Sequence, residues 1–209
     1  MEEVIIYFSK ETELISQEEM NLDFLKLPKM ISERIRKYDD PLTQQLKLKG
    51  KLLLIRLLER FHLPFLLEQL CFTNANRPYF HSDFDFNISY SGNIVICGGL
   101  KNGRIGIDIE KIKPIDINLF KNYFSLDEWQ IIIESENNLY AFYRFWTRKE
   151  ALAKAIGSGV LKEFSKLEVI NDVIETNECR YYFQELIISK GYIANMAVAI
   201  KNVTVTIAE

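Results

Sequence analysis

Short apolar runs alternate along this chain with longer stretches in which leucines and aromatics recur at helical spacing. Val4 to Phe8 predicts a buried strand, and the mixed polar residues 11–40 predict short helices and turns. Pro41 can open a helix at its first turn. Leu42, Leu46, Leu53 and Leu57 then follow at near-helical spacing, interrupted by Gly50. Pro64 to Phe72 reads as another short helix, and Asn74 to Asp85 as a turn-rich segment. Phe86 to Ser89 and Asn93 to Leu100 predict two strands around a Ser91-Gly92-Asn93 turn. The tight turn Lys101-Asn102-Gly103 leads into a strand from Arg104 to Glu110. Helices follow over 126–135 and 139–156, then strands over 166–170, 180–189, 192–200 and 203–207. Each half thus reads strand, helices, then a run of strands. The pattern predicts an α+β fold with mainly antiparallel sheets.

Composition narrows the class. Of the 209 residues, 48% are hydrophobic and 26% charged, with a formal charge of −3, which excludes a general polyanion binder. Charge is uneven: residues 26–60 hold ten Lys/Arg and four Asp/Glu. Such a region can attract a phosphorylated small molecule, or it can be a solvated helix face. The chain has no recognised nucleic-acid-binding motif, so no nucleic acid is expected as partner. Cys71, Cys97 and Cys179 have neither zinc nor disulfide-framework spacing. No leader and no membrane-spanning apolar stretch is read in the sequence, so a cytoplasmic location is expected.

Three segments carry candidate chemistry. In Gly106-Ile107-Asp108-Ile109-Glu110, strand alternation puts Asp108 and Glu110 on one face. Paired carboxylates on an otherwise apolar strand suit a hard cation such as Mg²⁺, or are solvated acids at a strand end. In Phe145-Trp146-Thr147-Arg148-Lys149-Glu150-Ala151-Leu152-Ala153-Lys154, Lys149 falls on the apolar stripe and Glu150 at its edge. Glu150 and Lys154 form an i, i+4 pair. They are a surface ion pair, or a third carboxylate for a metal beside a phosphate-neutralising lysine. Arg77-Pro78-Tyr79 and Phe86-Asn87-Ile88-Ser89-Tyr90-Ser91-Gly92 offer a basic turn and a hydroxyl-bearing strand.

The order RPY, FNISYSG, IGIDIEKIKPI, FSLDEW and FWTRKEALAKAIGSG resembles the Sfp-type (surfactin-synthetase-activating) 4′-phosphopantetheinyl transferases. That family moves the phosphopantetheine arm of coenzyme A onto a carrier-protein serine. The resemblance implies two similar α+β halves packed as a pseudo-dimer, each with a mainly antiparallel sheet packed by helices. The halves are expected at 1–103, on the nucleotide side of coenzyme A, and 104–209, with the metal and catalytic motifs. It implies Asp108, Glu110 and Glu150 as Mg²⁺ ligands (Mn²⁺ being an alternative ion), with Glu150 and Lys154 as catalytic residues. It implies Lys149 and Lys154 along the pyrophosphate, Arg77, Ser89 and Tyr90 at the nucleotide, and Lys47 near the 3′-phosphate.

One position departs from the family pattern: its usual His in the Ser-His-Ser strand is Tyr90 here. Tyrosine carries no positive charge near neutral pH. The change implies weaker 3′-phosphate recognition there, or compensation by Arg34, Arg36, Lys47 or Lys49. An acyl or peptidyl carrier protein is the implied partner, docking around Phe120, Tyr123, Phe124 and Leu126; those aromatics otherwise fill the second core. The length suits a monomer of the two-half type. The competing reading is a non-catalytic coenzyme A- or nucleotide-binding protein on the same scaffold, for which Tyr90 is the one argument.

Overall fold

The computed structural model describes residues 2–63, 67–157, 161–177 and 179–209. Two four-stranded sheets lie face to face with helices on their outer sides. In the first half, strand β1 (Glu3–Lys10) is followed by helices α1 (Gln17–Phe24), α2 (Lys29–Ile35) and α3 (Pro41–Arg60). Two short strands, β2 (Cys71–Phe72) and β3 (Pro78–Tyr79), pair with each other, and β4 (Phe84–Ser91) and β5 (Ile94–Lys101) form a hairpin. The second half runs β6 (Ile105–Lys111), α4 (Leu126–Glu134), α5 (Asn138–Ile156), β7 (Val173–Glu175), β8 (Arg180–Leu186) and β9 (Tyr192–Val198). The last strand, β10 (Thr204–Ala208), returns to the first sheet and pairs in parallel with β1.

The sheet orders are β10-β1-β5-β4 and β6-β9-β8-β7. In both, the half's first strand pairs antiparallel with its last hairpin strand, which pairs with the one before it. This is the repeated architecture expected from the two halves. Between the sheets Val4, Ile6, Ile94 and Ile96 meet Ile105, Ile107, Ile109 and Met196 in one buried cluster. On the outer faces, Leu54, Leu57 and Phe86 anchor the first core, and Phe142, Leu152 and Tyr181 the second.

The helix ends follow from local chemistry. The Asp40 side chain accepts the Thr43 N–H and Pro41 opens α3. Ser125 and Glu128 form a reciprocal capping box on α4. The Asn137 side chain caps α5, which ends at Gly157 in the left-handed region (φ 77°). Gly50 does not interrupt α3. A Cβ there would lie 2.7 Å from the Tyr90 hydroxyl, so glycine lets that ring approach the helix.

Two sequence expectations are corrected. In the segment 64–72 expected as a helix, residues 64–66 lie outside the described residues, 67–69 form a single 3-10 turn and 71–72 a strand. The strand expected over 166–170 is absent from the described structure. There Arg148 donates to the carbonyls of Val169, Ile170 and Asn171, and Glu128 accepts the Val169 N–H, so side chains take the groups a strand would pair.

Candidate active site

The seam between the halves is built by alternation along β4. Asp85, Asn87, Ser89 and Ser91 all point towards β6, and their side-chain oxygens accept the N–H groups of Ile105, Ile107, Ile109 and Lys111 at 2.9, 3.1, 3.4 and 2.9 Å. Side chains here replace the backbone carbonyls of an ordinary ladder. The constant offset of twenty residues between partners makes β4 and β6 run side by side in the same direction.

This seam sets the carboxylates of β6. Ser89 donates to Asp108 Oδ1 (2.9 Å), and Ser91 donates to Glu110 Oε2 (2.6 Å). Lys154 reaches across from α5 to Asp108 Oδ1 (2.6 Å) and the Ser89 hydroxyl (2.9 Å). Asp108 Oδ2 is buried and has no partner among the described residues. Helix α5 comes this close because Gly106 has no side chain: a Cβ there would fall 1.9 Å from the Ala151 carbonyl. Glu150, one turn before Lys154, is brought over the same strand. Burial, then the charge of Asp108, pushes the Glu150 carboxyl up to about 7, with Glu110 adding to the rise and Lys154 opposing it. Burial also raises Glu110 above the ordinary carboxylate range, and Asp108 contributes.

Among the described residues no three His, Cys, Asp or Glu side chains already stand as a finished metal cluster. The donor set nonetheless fits a hard divalent cation. The charge of Asp108 raises both Glu150 and Glu110, Glu110 adds to the rise at Glu150, and one buried carboxylate oxygen lacks a donor. Asp108, Glu110 and Glu150 are the residues that would hold it.

A cleft of about 370 Å³ opens beside this cluster, lined by Arg77, Pro78 and Asn87 from the first half and Glu150, Lys154 and Gly157 from the second. Arg77 is pinned by Asp85 (2.8 Å) and by the carbonyls of Lys154 (2.8 Å) and Ile105 (3.0 Å). Its Nη1, also buried, is unpartnered among the described residues. A fixed guanidinium with one uncommitted nitrogen at a cleft is suited to an anion. Ser89, expected at the nucleotide, has its proton committed to Asp108.

Tyr90 projects to the opposite face of β4 from Ser89, into the first core. Lys47 Nζ stands 3.8 Å from the Tyr90 ring centroid. Burial and then the charge of Lys154 lower the Lys47 pKa. The other cations offered in place of the histidine are engaged elsewhere. Lys49 pairs with Asp23 at 2.9 Å, Arg36 lies 3.8 Å from the Phe24 ring centroid and Arg34 stacks on Phe72.

Lys149, expected along the pyrophosphate, is paired inside the second half. It is 0% exposed, and its ammonium lies 2.8 Å from the equally buried Glu128, with further bonds to the carbonyls of Phe164 and Leu167. Its side chain is committed to the second core and is not in the lining of the cleft. The sequence reading passed over Glu128, although the Ser125-to-Glu128 capping box was a visible signal. It also passed over the Asp85, Asn87 and Ser91 ladder, signalled by polar alternation, and Asn195, a lone polar residue in an apolar strand.

In the expected docking region, Phe124 is buried against Phe142 and Trp129, while Phe120 and Tyr123 pack edge-on against Trp146. Leu119 and Leu126 are 76% and 83% exposed.

Residues 104–201 match the model of the 4′-phosphopantetheinyl transferase superfamily. The chain is 38% identical over 108 residues to a 4′-phosphopantetheinyl transferase of Bacillus pumilus, covering 49% of this chain and 45% of that one. It is 40% identical over 80 residues to the Bacillus subtilis 4′-phosphopantetheinyl transferase Sfp, covering 37% and 35%. It is 30% identical over 186 residues to the L-aminoadipate-semialdehyde dehydrogenase-phosphopantetheinyl transferase of Mus musculus, covering 80% and 60%. The matches thus span from about a third to three fifths of these relatives. Among solved structures, the holo-[acyl-carrier-protein] synthase of Thermotoga maritima aligns with a TM-score of 0.37 at 15% identity, over 47% of this chain and 64% of that one. No described helix is long and apolar enough to cross a membrane.

Proposed function

We propose that this protein transfers the 4′-phosphopantetheine group of coenzyme A to a serine hydroxyl of an apo carrier protein, in a reaction that depends on Mg²⁺ or Mn²⁺ and releases 3′,5′-ADP. The observation that carries the reading is the gathering of Asp108, Glu110 and Glu150 beside Lys154 at a cleft that both halves line. The names of the similar proteins support it. A divalent cation on the three carboxylates would offset pyrophosphate charge.

The chain's own residues do the rest. Lys154 neutralises phosphate oxygens, and Arg77 Nη1 offers a donor from the first half. The serine oxygen bonds to the β-phosphorus as the bond from that phosphorus to the bridging oxygen breaks, and 3′,5′-ADP departs. Glu150, in the lining of the cleft, accepts the serine proton. Residues 1–103 supply the nucleotide-side contacts, with Lys47 towards the 3′-phosphate, and 104–209 the carboxylates. Leu119 and Leu126 are the apolar contacts of the docked carrier, with Lys113 and Lys121 at the rim. Because one chain supplies both walls of the cleft, the protein acts as a monomer. A cytoplasmic setting, and carriers of fatty-acid, polyketide or peptide synthesis, belong to the same reading.

Calorimetry of coenzyme A binding with and without Mg²⁺ tests it. Wild-type protein is expected to bind more tightly with the ion, and Asp108→Asn to lose that gain. Binding indifferent to both refutes the assignment.

A further inference from the structure

Two buried oxygens of the second sheet have no donor among the described residues: Asp108 Oδ2 and Asn195 Oδ1. They belong to directly opposed residues of β6 and β9. Opposed side chains in an antiparallel pair share a face, with Cβ atoms about 5 Å apart. The face is the one under α5: Ile193 and Ala197 join the helix-side core, whereas Ala194 and Met196 join the core between the sheets.

The orientation of the Asn195 amide is fixed by its neighbours. Its Nδ2 donates to Thr147 Oγ1 at 2.8 Å, and Thr147 spends its own proton on the Tyr143 carbonyl, also at 2.8 Å. Turned over, the amide would set its oxygen against a hydroxyl with no proton to give. The carbonyl oxygen therefore points away from Thr147. Asn195 is 0% exposed in a strand otherwise made of Tyr, Ile, Ala, Met and Val. An apolar residue would fit that strand without leaving an acceptor unpaired. The next residue in the row, Glu185 on β8, is already engaged by Tyr140 (2.8 Å) and Arg144, so it supplies no proton.

Two acceptors presented together, one of them a carboxylate, suit a hydrated cation: one oxygen can bind the ion and the other can accept from its water. An anion site would present N–H groups instead. We infer that Asn195 is a positioning residue of the cation site, its amide oxygen accepting from a water of the ion that Asp108 Oδ2 ligates. The inference rests on the reading of Asp108 as a cation ligand and extends the site to a strand outside the recognised motifs.

Mn²⁺ alone is the probe, its binding followed by electron paramagnetic resonance for the wild type, Asp108→Asn, Asn195→Leu and Asn195→Asp, with thermal melting of each. Asn195→Leu should remain folded and weaken Mn²⁺ binding roughly tenfold. Asn195→Asp, which keeps an acceptor oxygen in place, should bind at least as tightly as wild type. A purely structural amide would make the buried aspartate the worse substitution. Should Asn195→Leu not fold, Asn195→Ala against Asn195→Asp makes the same comparison, and equal affinities overturn the inference. A wild type that binds Mn²⁺, weakened by Asp108→Asn but not by Asn195→Leu, overturns this inference alone. A wild type that binds no Mn²⁺ overturns the cation reading as well.

Discussion

Replacing Lys149 by methionine separates a structural role for this lysine from a phosphate-binding one. Its ammonium and the Glu128 carboxylate are both 0% exposed and lie 2.8 Å apart. Glu128 also accepts the N–H groups of Ser125 (2.8 Å) and Val169 (2.8 Å), so it ties the start of α4 to the segment before β7. Removing the lysine leaves a buried carboxylate facing two carbonyls that have lost their donor. Breaking a buried pair from one side costs about 3–5 kcal/mol, a large part of the stability of a domain this size. Burial lowers the Lys149 pKa, consistent with an ammonium held in place by partners rather than by water. Urea unfolding of Lys149→Met should show a midpoint far below wild type. The double variant Glu128→Leu with Lys149→Met, which removes both charges, should recover much of the loss. Any loss of coenzyme A binding should track the loss of folded protein. A Lys149→Met variant with the wild-type midpoint but weakened coenzyme A affinity would refute this reasoning and return Lys149 to the ligand.

Further outcomes follow from the same geometry. The folded-state Glu150 pKa lies above its ordinary value, so this group favours the fold at low pH and loses that contribution as pH rises from about 4.5 through about 7. With chelator present, Glu150→Gln should therefore be more stable than wild type at pH 8, by about 1–3 kcal/mol, and equal near pH 4; no gain at pH 8 counts against the crowded carboxylates. Asn87→Ala strips the acceptor from the buried Ile107 N–H and should lower stability by about 1–3 kcal/mol in thermal melts, while a change under about 0.5 would mean that the seam ladder contributes little. Gly106→Ala should push α5 off β6, measured as a large drop in melting temperature with loss of the Mg²⁺ effect on coenzyme A binding; normal behaviour would contradict the close approach. Leu126→Asp should raise the KM for a carrier with melting temperature and coenzyme A affinity unchanged, and an unaltered KM would move the docking site elsewhere.

Much of the fold was legible because its signals are local. Short apolar runs marked β4, β5, β6, β8 and β9, and Pro41 marked the start of α3. The strand pair Asp108 and Glu110 could be placed on one face from spacing alone. What escaped depended on contacts distant in the chain. Lys149 already fell on the apolar stripe of its helix, but only the arrival of Glu128 from α4 shows what it pairs with in the core. The segment 166–170 has strand-like residues, but Arg148 and Glu128 take its backbone groups first. Asn195 has meaning only once β9 is laid against β6. The departure at Tyr90 was visible as a letter, yet its consequence, a ring against Gly50 under Lys47, required the packing of α3 on β4.

The central claim is tested most directly by the intact mass of an apo carrier protein incubated with this protein, coenzyme A and Mg²⁺. The account predicts a gain of one phosphopantetheine on the carrier, abolished by chelator and by Glu150→Gln. Unchanged mass across fatty-acid, polyketide and peptide carriers, from protein that still binds coenzyme A, would contradict it and leave a binding protein on this scaffold.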